Sequence, residues 1–238
     1  MNNKTKSFQL FLTACSLVAA PLMGDCCEGS GPKVCGKIDV GPAYVHIDLL
    51  QNGVTNEKMD IPAVRVDACY AIWRGVVIKP NFTYGYNNEE LIMTGCGIGH
   101  IIPIYDCFKL TPVIGFNYSY LDTKTDIPFD NTKRSFQSYG GYIGIEGTYS
   151  LTKSLRLYAT YQYVWTHNIT SYKFPSPFSA ASVRLKERSS GSAISAMIEQ
   201  DLSKYWSVNL AGAYNNSMSK EKNGMRAYGV KLGIARWF

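Results

Sequence analysis

The sequence predicts an all-β protein, a closed antiparallel transmembrane β-barrel of about ten strands, with eight or twelve as the alternatives. Three observations carry this. Apolar residues recur with period two rather than three and four apart, so the chain builds strands with unlike faces. Few-residue turns alternate with longer polar connections, as when hairpins are short at one end of a cylinder and long at the other. The non-aromatic face is too small and polar for a dry core, while the apolar face gathers Tyr and Trp toward strand ends, where bilayer interfaces lie.

The strands are expected at 37–50, 59–72, 76–87, 90–104, 108–121, 135–150, 155–168, 190–202, 206–215 and 225–238. Each is long enough for a tilted strand to cross hydrocarbon, which takes about 9–11 residues. In the third, Val76, Ile78, Pro80, Phe82, Tyr84 and Tyr86 alternate with Val77, Lys79, Asn81, Thr83 and Gly85. In the fifth, Leu110, Pro112, Ile114, Phe116, Tyr118 and Tyr120 alternate with Lys109, Thr111, Val113, Gly115, Asn117 and Ser119. In the seventh, Leu155, Leu157, Ala159, Tyr161, Tyr163 and Trp165 oppose Arg156, Tyr158, Thr160, Gln162 and Val164. The last strand sets Tyr228, Val230, Leu232, Ile234, Arg236 and Phe238 against Gly229, Lys231, Gly233, Ala235 and Trp237. Short turns fall at 72–75, 105–108, 151–154 and 202–205; longer connections at 51–58, 87–90, 122–134, 169–189 and 216–224. In lipid every backbone polar group must be paired internally, so the sheet has to close, and a terminal strand can zip against the first to close it.

Composition agrees. Charged residues make up 18% of the chain, below the roughly 25% of soluble domains, and the 17 tyrosines and 21 glycines suit girdles and close strand packing. The net charge of +6 is spread along the chain, so nucleic-acid binding is not expected. Lys4 and Lys6 followed by LFLTACSLVAAPLMG describe a secretory signal peptide over 1–24, whose removal lowers the formal charge from +6 to +4. Leu12-Thr13-Ala14-Cys15 also looks like a lipobox, which would lipidate Cys15. Either reading exports the chain, so its cysteines belong to an oxidising compartment.

The final strand resembles that of bacterial outer-membrane β-barrel proteins, whose terminal signal reads polar, any, Gly, two of any, aromatic, any, aromatic. Lys231, Gly233 and Phe238 match it; Arg236 stands where an apolar residue is usual. The resemblance spans 37–238, after a cysteine-rich periplasmic segment at 25–36. It implies insertion by the barrel-assembly machinery, contact with outer-membrane lipid, short turns toward the periplasm and loops outside.

The lumen-facing set is expected to hold His46, Asp48, Arg65, Asp67, Lys79, Asn81, Glu146, Arg156, Glu199 and Lys231, its charges paired across the interior. Ten strands lie between a filled barrel and a channel. Two functions follow: a structural or surface-binding protein with a plugged lumen, or a small porin-like channel. Cys26, Cys27, Cys35, Cys69 and Cys107 gather at the periplasmic end and are candidates for internal bridges or for cross-links to other envelope proteins. In this the chain resembles envelope proteins of intracellular bacteria with disulfide-linked envelopes. Neither metal nor cofactor is expected, since the cysteine spacings suit no zinc site. Enzymatic activity is not expected: no G-x-S-x-G occurs, and His167 near Asp122, Asp126 and Asp130 is the sole candidate for base chemistry. In the connection 169–189, Tyr172, Phe174, Phe178, Arg184, Lys186 and Arg188 are expected to form an outward contact, with a host surface or anionic lipid as partner.

Overall fold

A computed structural model describes residues 36–125, 132–174 and 182–238. Eleven strands form one antiparallel sheet: β1 (Gly36–Gln51), β2 (Val54–Trp73), β3 (Val76–Asn87), β4 (Glu89–His100), β5 (Ile102–Tyr105), β6 (Phe108–Thr125), β7 (Thr132–Ser150), β8 (Leu155–Lys173), β9 (Ser182–Asp201), β10 (Trp206–Ser219) and β11 (Gly224–Trp237). Apart from β4 and β5, which do not pair with each other, each strand pairs with its sequence neighbours; β11 pairs with β1 and β4 with β6, so the described strands close into a barrel. β4 and β5 are one wall strand interrupted at Ile101, giving ten staves. At the break the Ile101 N–H leaves the ladder and donates to the Gly75 carbonyl at 2.8 Å, and Pro103 two residues on has no N–H to offer. Closure at the β1–β11 seam holds one register from Lys37↔Trp237 to Leu50↔Gly224, interrupted at Gly41-Pro42.

The faces fall as the alternation requires. Val40, Val64, Ile114, Ile143, Ile194, Leu210, Val230 and Leu232 lie on the outside and are exposed, while Glu199 and Ser207 inside are fully buried. Two aromatic girdles bound the apolar band. Trp206, Tyr205, Tyr149, Trp73 and Phe238 sit at the short-turn end; Tyr44, Tyr84, Tyr139, Trp165 and Tyr228 at the other. On β11 the band runs from Tyr228 to Phe238, about 25 Å high at a rise of ~3.3 Å per residue and a tilt of ~40°.

The strands are longer than expected at the outer end. β8 and β9 stay paired as far as Lys173↔Ser182, so 169–173 and 182–189 are strand rather than loop. The expected long connection at 51–58 is a two-residue turn, Asn52-Gly53, with φ of 53° and 80°. That geometry is the primed hairpin turn that Asn-Gly favours. β3 and β4 join through Asn88 alone, again at positive φ. Above the outer girdle the strands run about seven more residues, roughly 18 Å, into the exterior.

Where the strands leave the band, their polarity inverts. On β1 the outward residues up to Tyr44 are apolar and the inward ones are Lys37 and Asp39; beyond it the outward residues are His46 and Asp48 and the inward ones Val45, Ile47 and Leu49. On β2, Arg65 and Asp67 point inward within the band; beyond Pro62, Asp60 and Lys58 point outward while Ile61 and Met59 point inward. Below the girdle the wall is solvated by hydrocarbon, above it by water, and each segment turns its apolar side accordingly.

Candidate functional site

The barrel interior is filled at successive levels. At the short-turn end, Lys37 Nζ pairs with Glu199 Oε2 at 2.8 Å. Glu199 also accepts from Ser207 Oγ at 2.5 Å, and Trp237 Nε1 donates to that hydroxyl at 3.1 Å. Arg156 pairs with Asp201 and lies 4.6 Å over the Trp237 ring. Next, Lys231 Nζ bridges Asp39 at 2.8 Å and Asp67 at 2.7 Å, while Arg65 clasps Asp67 through Nε and an η-nitrogen. Asn209 Nδ2 donates to the same Asp39 oxygen, Oδ2, at 3.0 Å. Lys79 pairs with Glu146 at 2.5 Å. These ions come from seven of the ten staves and pair with one another, as desolvated charge must, with Asp39 Oδ1 and Arg156 Nε the atoms left without a hydrogen bond among the described residues.

At mid-height Tyr142 lies across glycines of the strands beside it, Gly115 on β6 and Gly97 on β4. A Cβ at Gly97 would come within 2.4 Å of its Oη, and one at Gly115 within 2.5 Å of both Cζ and Oη. Val113 and Val164 pack beside it. Above sits an apolar plug: Val45, Ile47, Leu49, Met59, Ile61, Leu91, Leu121 and Phe136, with Ile61 wholly buried and Leu121 at 1% exposure. Arg134 caps it, paired with Glu57 at 2.7 Å and lying 5.7 Å over Tyr172. On the β8–β10 side the same level is closed by polar contacts, Asn168 to Ser189 at 2.7 Å and Thr166 to Ser217 at 3.3 Å.

The lumen residues named from sequence divide as follows. Arg65, Asp67, Lys79, Glu146, Arg156, Glu199 and Lys231 share the inward face and the network above. Asp48 does not. It lies with His46 on the outer face, 3.4 Å from His46 Nε2, while His46 Nδ1 meets Asp60 at 2.6 Å. The reason is the inversion at Tyr44: extending the lumen pattern past the girdle assigns Asp48 to the wrong side. The plug and its Arg134–Glu57 cap were missed for the same reason, and the change of phase at Tyr44 and Pro62 was the signal that could have found them.

Cys69, Cys96 and Cys107 carry free thiols. Cys69 faces the lumen opposite Lys37, Cys96 faces lipid, and Cys107 is exposed in the turn before β6. Cys26, Cys27 and Cys35 lie outside the described residues. Of the outward-contact set, Tyr172 points inward onto Arg134, whereas Arg184, Lys186 and Arg188 project outward from β9, opposite Ser171, Ile169 and His167. Phe174 follows β8 directly and Phe178 lies outside the described residues. His167 stacks on Tyr139 at 5.6 Å, and Asp122 is two strands away, opposite Ser135; Asp126 and Asp130 lie outside the described residues. In the terminal motif, Lys231 is the central cation of the lumen. A Cβ at Gly233 would come within 2.3 Å of Asp39 Oδ1, so only glycine leaves that carboxylate room. Phe238 exchanges backbone hydrogen bonds with Gly36 at 2.9 and 3.1 Å and packs on Tyr70.

An edgeless ten-stave wall with an apolar exterior between two aromatic girdles has counterparts among solved structures. The outer membrane protease OmpT of Escherichia coli matches with a TM-score of 0.60 and 12% identity, over 86% of this chain and 96% of that one. The fold is that of the bacterial outer-membrane β-barrels. The translocator domain of the autotransporter NalP of Neisseria meningitidis matches with a TM-score of 0.50 and 12% identity, over 99% of this chain and 98% of that one. No protein-family model matches the sequence, and no curated protein matches it. The likeness is therefore one of architecture: this outer-membrane barrel spans the bilayer with its short turns at the Phe238 end.

Proposed function

We propose that this outer-membrane barrel is a sealed surface protein with a structural or surface-binding role, its work done at the projecting outer rim rather than through the lumen. The observation that carries this is the stacking of fillers along the axis. An ion at the short-turn end meets the Lys231–Asp39–Asp67–Arg65 cluster, then Tyr142, then a plug whose Ile47, Leu49, Ile61, Leu91 and Leu121 are at most 2% exposed. A dry apolar stretch of this kind is a large barrier to any hydrated ion. The rim has the rigidity a docking surface needs. The Asn52-Gly53 hairpin is laced to the β10–β11 hairpin by Gly53 N–H to the Lys222 carbonyl at 2.9 Å and Asn52 N–H to Asn223 Oδ1 at 2.9 Å. Asn223 Nδ2 in turn donates to Glu187 at 2.9 Å. The separation of His167 from Asp122 and the outward setting of His46 favour binding over catalysis.

The test is conductance of purified, refolded protein in planar bilayers. The expected record is a flat baseline over 100 mV of either sign, with steps appearing only when plug residues and the Lys231 cluster are removed together. Steady single-channel steps from the unaltered protein would overturn the sealed reading in favour of a small channel.

A further inference from the structure

One concavity lies outside the lumen and the rim. It opens on the outer wall of β7–β10 at the height of the outer girdle, encloses about 390 Å³, and is lined by Trp165, His167, Arg188, Met218 and Lys220 above Gly141. The register fixes the side of the wall. Thr166, Ser189 and Ser217 point into the lumen, so Trp165, His167, Arg188 and Met218 point out. The volume falls in the ordinary range for small-ligand sites.

The two ends of the groove differ in chemistry. Its lower wall is apolar, with Trp165 half exposed and Tyr163 edge-on to it at 5.0 Å. Its upper wall is cationic, and Lys186 and Arg184 continue outward along β9 beyond Arg188. Among the described residues, neither Arg188 nor Lys220 has a carboxylate partner. The nearest acid on β9, Glu187, points inward and is held by Asn223. Of the other carboxylates at this end, Asp48, Asp60, Glu90 and Asp122 are on β1, β2, β4 and β6, away from this sector, and Glu221, exposed in the turn beside Lys220, makes no ion pair among the described residues. Unpaired cations at a membrane boundary, directly above an aromatic surface, call for an anion that carries its own apolar tail.

We propose that this groove holds the phosphate-bearing headgroup of an anionic outer-leaflet lipid. Arg188 and Lys220 take the phosphate, His167 borders it, and the acyl chains run down over Trp165 and Met218. The floor permits this because Gly141 has no side chain: a Cβ there would meet only the Gly115 carbonyl oxygen, at an ordinary 3.6 Å, and a larger side chain would project into the groove.

The test is native mass spectrometry of the folded full-length barrel in a zwitterionic detergent, with equal concentrations of a bis-phosphorylated diglucosamine lipid, phosphatidylglycerol, phosphatidylcholine or inorganic phosphate. The anionic lipids should be retained, phosphatidylcholine should not, and inorganic phosphate should not displace them. Arg188→Gln with Lys220→Gln should weaken retention about thirtyfold, at about fivefold per charge. Gly141→Leu, which keeps both cations but fills the floor, should weaken it as well. Heat-modifiable gel mobility reports folding of each variant, and Lys220→Gln alone, in a turn, serves if the double variant does not fold. Undiminished retention by the folded charge variants, equal retention of phosphatidylcholine, or displacement by equimolar inorganic phosphate would each overturn the proposal.

Discussion

Lys231 is the residue on which the lumen's charge balance turns, and Lys231→Met tests it. Its side chain is 6% exposed and holds two carboxylates at 2.8 and 2.7 Å. Methionine keeps the stem and removes the charge. Asp67 then still has Arg65, but Asp39, 2% exposed, is left with Asn209 as its one remaining side-chain donor among the described residues. Removing one partner of a buried pair costs about 3–5 kcal/mol, most of it the cost of the stranded charge. The diagnostic step is therefore Asp39→Asn in the same background. It removes the stranded charge while keeping an acceptor for Asn209, and should recover at least about half of the loss by that same accounting. Urea titration of the barrel folded into vesicles, followed by tryptophan emission and heat-modifiable mobility, measures both. A Lys231→Met midpoint unchanged within about 0.5 kcal/mol, or a double variant no more stable than the single, would refute the view that these charges sit desolvated and mutually paired.

Other positions give independent checks. Gly97→Ala and Gly115→Ala should each cost about 1–3 kcal/mol through collision with Tyr142 and, at Gly115, with the Cys96 carbonyl as well; Tyr142→Phe should relieve the first more than the second, because only Gly97 is opposed chiefly by the hydroxyl. Val230→Arg, on the lipid face and 55% exposed, should cost about 2–4 kcal/mol in the same urea titration, whereas Lys58→Leu beyond the girdle should shift the midpoint little. Phe136→Ala should cost about 3–5 kcal/mol by opening a cavity in the plug, yet leave the planar-bilayer baseline flat because the Lys231 cluster still blocks the axis.

The wall of this barrel was legible in its sequence, and the reason is physical. Between the girdles both solvents are fixed, hydrocarbon outside and a polar interior inside, so a strict two-residue period such as that of Tyr228 to Phe238 has one meaning. Strand count followed from turn spacing, with Ile101 as the one interruption that periodicity could not show. Strand ends were less legible. Asn52-Gly53 is a strong hairpin signal, but the polar residues after it, Thr55 to Lys58, read as loop because polar strand outside a membrane looks like loop in composition. The interior was half legible. Arg65, Asp67, Lys79 and Lys231 announced themselves as charges on a lumen face, whereas Leu91, Leu121 and Phe136 drew no notice because apolar residues had already been assigned to lipid. Which charge meets which, as with Lys37 and Glu199 some 162 positions apart, depends on shear and closure, and no local pattern carries that.

The position of the apolar plug bears on what the barrel can do. Val45, Ile47, Leu49, Ile61 and Leu121 lie at and above the level of Tyr44 and Tyr228, so the tightest barrier stands outside the hydrocarbon, within the projecting part of the wall. A pore protein gains by narrowing at a polar constriction that strips little water from its cargo; an apolar constriction at the exposed mouth excludes water and couples the rim to a packed core. That coupling suits a surface that must hold its shape. Asp48, Asp60 and Arg134 are set outside or above residues that cannot repack independently, and the hairpins at Asn52 and Asn223 are tied to each other directly. The part of the barrel above the membrane is thus built on the same principle as a water-soluble β-barrel, continuous with a lower half built for lipid. The outward sector of Arg188 and Lys220, which have no carboxylate partner among the described residues, falls at the junction of the two, where the wall's surroundings change from acyl chain to phosphate.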